Sequence, residues 1–168
     1  MVMRLLPLVV VVLGAVPAFA QSGPPPKPGV PSTQSDHMQS GVRHFERAFF
    51  ELTPQKREAE ARVEFDHAIA AFERELAATP ASADAHRYLA KIHAVRKEFG
   101  KAGAHFDKVA ELEPFNVDAC VLAALAYLDA DDAPGARLRL VGAKDRTLDP
   151  VVLARLDGYI AKVDALKR

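Results

Sequence analysis

The chain has 168 residues, with 22 Lys and Arg against 22 Asp and Glu, 49% hydrophobic residues and a single cysteine. The even charge balance leaves no electrostatic footprint for nucleic acid, and the apolar fraction is too high for a disordered chain. One thiol, Cys120, excludes an intramolecular disulfide framework and a multi-cysteine metal centre.

Residues 1–20 read MVMRLLPLVVVVLGAVPAFA: one positive charge at Arg4, an apolar run from Leu5 to Val16, then Ala18-Phe19-Ala20. This is the pattern of a secretory signal peptide cleaved after Ala20. The rival is a retained membrane anchor, but spanning a bilayer takes about 20 apolar residues and this run is shorter. Cleavage leaves no stable membrane span and places the chain in a bacterial periplasm or outside the cell. Residues 21–35 follow as a Pro-rich disordered linker, with five of the twelve prolines between Pro24 and Pro31. Such a segment favours extended polyproline II and buries no core, which suits a spacer better than a ligand for a proline-binding module.

Residues 36–168 read as one helical domain. Apolar residues step by three and four, as in Phe65, Ile69, Phe72 and Leu76, or Tyr88, Leu89, Ile92 and Val95. Helix starts are marked by Thr53-Pro54, Ser82, Asn116, Asp132 and Asp149-Pro150. The first helix is expected over residues 36–52, with Gly41 as its small packing residue, and an unusually long second one over 54–79. Short breaks make consecutive helices antiparallel neighbours, and seven helices are expected up to about residue 166.

The chain also repeats itself every 34 residues. Ala68, Ala102 and Ala136 share this spacing, as do Phe72, Phe106 and Leu140, Pro80 and Pro114, Ala90 and Ala124, and His93 and Tyr127. A small residue lets helices approach, a large one a turn later fills the groove beside it, and proline stops the second helix. This pattern resembles the tetratricopeptide repeat (TPR). His86, Leu89, Ala90, His93, Ala102, Phe106 and Pro114 stand at the family's positions in the middle unit, and Cys120, Ala123, Ala124, Tyr127, Ala136, Leu140 and Ala143 in the next. The resemblance implies an all-α, right-handed helix-turn-helix solenoid of about three repeats. Residues 150–168, with a stripe of Leu153, Leu156, Ile160 and Val163, are expected to form a C-terminal capping helix.

Candidate chemistry is sparse. His86 and His93 are two helical turns apart, about 10 Å, too far to share one ion without a third element between them. They are read as core residues, and His37, His44, His67 and His105 as solvated singles. Cys120 reads as a buried structural thiol. No phosphate-binding Gly-rich loop, nucleophile motif or catalytic carboxylate pair is present in the sequence. No catalytic residue, cofactor or metal is therefore assigned.

The resemblance implies a non-enzymatic protein–protein interaction module, an exported adaptor or scaffold that holds a peptide or protein segment in a concave groove lined by the first helix of each repeat. The groove residues expected are Asp84, Arg87, Lys91 and Val95 on one repeat and Val121, Leu125 and Leu128 on the next. The clamp by which some family members grip chaperone tails is not carried over, because Asp118 and Leu122 stand where it needs Lys and Arg. The alternatives are a periplasmic small-ligand or metal-binding protein, and a non-catalytic subunit of an envelope enzyme.

Overall fold

The computed structural model describes residues 35–166. The expected signal peptide and nearly all of the Pro-rich linker lie outside the described residues. Among those described there are seven α-helices and no strand: α1 Asp36–Glu46, α2 Glu58–Ala78, α3 Ala83–Val95, α4 Phe99–Leu112, α5 Val117–Asp129, α6 Ala133–Lys144 and α7 Pro150–Ala165. None of them is long and apolar enough to cross a membrane.

Local chemistry sets most helix starts. The side chains of Ser35, Ser82, Asn116, Asp132 and Asp149 each accept a hydrogen bond from a backbone N–H in the first turn of the helix that follows. These bonds satisfy donors that have no partner within the helix. The Thr53-Pro54 start is corrected. Residues 53–56 form a turn, the Thr53 hydroxyl donates back to the Ala48 carbonyl at 2.7 Å, and α2 begins only at Glu58. Proline suits the second position of a turn as well as it suits a first helical turn. Residues Arg47–Leu52 extend α1 as a π-helical turn, so the expected first helix changes its hydrogen-bonding pattern before it ends.

Each helix packs mainly against its sequence neighbours, and α1 also touches α3. The turns inside the three repeats close alike. Lys56, Lys97 and Asp131 all take positive φ, and the next N–H reaches back five residues, from Arg57 to Leu52, Glu98 to His93 and Asp132 to Tyr127. This is a Schellman closure with a non-glycine residue at the left-handed position.

The core runs along the stack in three linked clusters. The first joins α1 to α3 around Phe45, Phe65, Phe72 and Leu89; the second joins α3 to α5 around Ala90, Ala102, Phe106 and Ala123; the third joins α4 to α7 around Val109, Cys120, Leu140, Leu156 and Val163. The 34-residue alanines Ala68, Ala102 and Ala136 are all fully buried. Leu156 and Val163 of α7 seal the last repeat, while Leu153 stays outside that cluster. The described chain is an all-α, TPR-like solenoid of three helical pairs plus a C-terminal helix.

Candidate functional site

The first helix of each pair, α1, α3 and α5, carries the candidate binding face. On α3 the Arg87 guanidinium is already engaged: it bonds Asp84 one turn earlier and makes paired bonds of 2.7 and 2.8 Å to the Glu113 carboxylate in the α4–α5 connection. Asn116 donates to the same carboxylate. Those two partners, Asn116 first, hold the Glu113 carboxyl below the ordinary carboxylate range. Arg87 therefore ties α3 to the α4–α5 connection.

Lys91, one turn beyond Arg87, sits half-buried with its ammonium 5.3 Å from the centre of the Tyr88 ring. Burial lowers its pKa, the Arg87 charge lowers it further, and Asp84 opposes both. No carboxylate among the described residues forms an ion pair with it.

The expected aliphatic residues are half-buried and divide among the core clusters. Val95 leans on the N-terminal cluster, Leu125 with Leu122 on the middle one, and Val121 with Leu128 on the C-terminal one beside α7. The structure thus brings Arg87, Asp84 and Lys91 onto one helix face and spreads Val121, Leu125 and Leu128 along the next. A cleft of about 170 Å³ opens beside Arg87, lined by Phe106, Val109, Ala119 and Leu122 with Asn116 and Asp118 at its rim. Asn116 and Glu113 are not among the expected groove residues. Both sit in the Pro114-containing break, and only folding brings them against Arg87.

A second grouping corrects the assignment of His105 as a solvated single. His105 on α4 is half-buried between the two α3 histidines. Its Nδ1 lies 3.0 Å from Nδ1 of His86, and its ring is parallel to that of His93 with centroids 5.5 Å apart. His93 is buried and its Nδ1 meets the Glu98 carboxylate at 2.9 Å. Burial, reinforced by the neighbouring imidazoles, pushes His105 down to about 4, and burial also lowers His86 and His93. His44 is also no solvated single, since its Nδ1 contacts Glu64 at 2.7 Å and its ring lies 5.2 Å from that of His67. Cys120 is buried as expected, and burial raises its thiol pKa. Among the described residues, no three His, Cys, Asp or Glu side chains converge as a metal site.

No family model matches the chain, and no curated protein matches it. Among solved structures it is similar in fold to the first TPR of Spaghetti (RPAP3) bound to the HSP90 peptide SRMEEVD. That similarity has a TM-score of 0.52 at 14% identity and covers 80% of this chain and 100% of that one. At that identity the likeness carries the fold, and the described helices form a TPR-like domain.

Proposed function

We propose that the protein is a non-enzymatic interaction module, an exported adaptor that holds a segment of another protein along the face formed by α3 and α5. The observation that carries this reading is Lys91, a half-buried ammonium whose positive charge meets an aromatic ring and, among the described residues, no carboxylate salt-bridge partner. Taking a cation out of water is costly, and a carboxylate brought by a partner offsets that cost. The cleft beside Arg87 has an apolar floor and room for one side chain. The segment that fits is extended or helical, with an apolar anchor for the cleft and an acidic side chain for Lys91. The fold neighbour, solved with a peptide containing Glu-Glu-Val-Asp, is consistent with such a ligand class.

The test compares captures from an envelope fraction by the wild-type protein, Lys91→Glu and Leu125→Glu. A partner held by the wild type and lost from both variants supports the proposal; equal retention by all three contradicts it. Arg87 is left unchanged, because its pair with Glu113 ties α3 to the α4–α5 connection and its loss would leave that carboxylate without its cation.

A further inference from the structure

The histidine grouping lies between α3 and α4, and the groove reading does not use it. His86 and His105 come from different helices, yet their Nδ1 atoms stand 3.0 Å apart, with ring centroids at 5.3 Å and planes tilted by 40°. Two imidazole nitrogens bound to one ion at about 2.0–2.1 Å are separated by about 2.9 Å at a right angle and about 3.3 Å at a tetrahedral one. The observed spacing falls between those limits. The Pro80 backbone acts on His86 as well, opposing the fall in its pKa that burial causes. A His86 tautomer with its proton on Nε2 leaves Nδ1 as the acceptor toward His105.

We propose that His86 and His105 together bind a divalent transition-metal ion through their Nδ1 atoms, with water completing its coordination. As the ion binds, the ring that donates through Nδ1 carries its proton on Nε2 instead, and the ion sits to one side of the line between the two nitrogens. Both histidines are half-buried rather than sealed. The nearby charges offset one another: Lys108 and Glu111 on α4 act on His86 and pair at 2.7 Å, and His93 on the far side of His105 is held by Glu98, which also binds Lys101. Two nitrogen donors favour Cu²⁺ over Zn²⁺ and Ni²⁺ by the ordinary affinity order.

The experiment titrates the untagged protein with Cu²⁺ and with Zn²⁺ by calorimetry. It is repeated on His86→Gln, His105→Gln and His44→Gln after circular dichroism has checked their helix content. One ion per chain is expected, bound at least tenfold more weakly by His86→Gln and by His105→Gln and unchanged by His44→Gln. Should either of the first two variants fail to fold, imidazole ¹⁵N spectra of the wild type with Zn²⁺ decide the matter, because His86 and His105 must shift together. Binding that is lost only with His44, the neighbour of Glu64 and His67, overturns the proposal. So does an ion that leaves the His86 and His105 ring signals in place, or the absence of any stoichiometric binding.

Discussion

The Phe72 ring occupies the space that a side chain at Gly41 would need: a Cβ built there meets three ring carbons at 2.5, 2.7 and 2.8 Å. Gly41 thus does for the first helical pair what the buried alanines Ala90 and Ala124 do for the later ones, letting helices close on one another. Phe72 is fully buried and stacks on Tyr88 at 5.0 Å, so it has nowhere to move. Gly41→Ala gains about 1 kcal/mol of helix propensity and loses about 1–3 kcal/mol to overpacking. A lower melting temperature is expected, and a higher one would mean that the ring can retreat.

Ala102 carries the same requirement in the middle repeat, where it is fully buried within the cluster joining α3 to α5. Ala102→Leu is expected to cost about 1–3 kcal/mol in urea unfolding. An unchanged midpoint would show that the 34-residue alanines do not set the helix spacing.

Lys97 and Asp131, 34 residues apart, close their turns with φ of 60° each. A non-glycine residue in that region carries a conformational cost of about 1 kcal/mol, which glycine avoids while loosening the unfolded chain. Lys97→Gly is expected to raise stability by roughly 0.5 kcal/mol, read from chemical denaturation. A loss of stability would indicate that the lysine stem makes packing contacts that matter more than the backbone.

Much of this architecture was legible in the sequence because it rests on local chemistry. Ser82, Asn116, Asp132 and Asp149 cap helices through their own side chains, and the alanine and aromatic positions recur at a fixed interval. Thr53-Pro54 misled because the same dipeptide serves a turn, and there the threonine bonds backwards to Ala48. The ties between residues distant in sequence were not legible. Arg87 meets Glu113 across 26 positions, and His105 finds His86 only when α4 folds against α3. Neither leaves a periodic trace. Val95 lies on α3 and Val121, Leu125 and Leu128 on α5, but their division among three core clusters depends on neighbouring packing.

The Arg87–Glu113 tie has a pH signature. Asn116 and Arg87 lower the Glu113 pKa in the folded state, so the unfolded chain binds its proton more readily. This contribution is fully present above the ordinary glutamate value of about 4.3 and is lost as pH falls toward the lower folded value. Urea midpoints measured from pH 7 to pH 3 should fall more steeply for the wild type than for Glu113→Gln. Parallel curves would show that the pair contributes nothing to folding.

The central claim is that the α3–α5 face receives a peptide segment. Its most direct test is to select a binder from a displayed peptide library and titrate it into ¹⁵N-labelled protein, following every amide. The account predicts that the largest shifts fall on α3 and α5 around Arg87, Lys91, Leu122 and Leu125, and that Lys91→Glu weakens the peptide at least tenfold, about 1.4 kcal/mol. Shifts confined to α4 and α6, or an affinity that Lys91→Glu leaves unchanged, would contradict it.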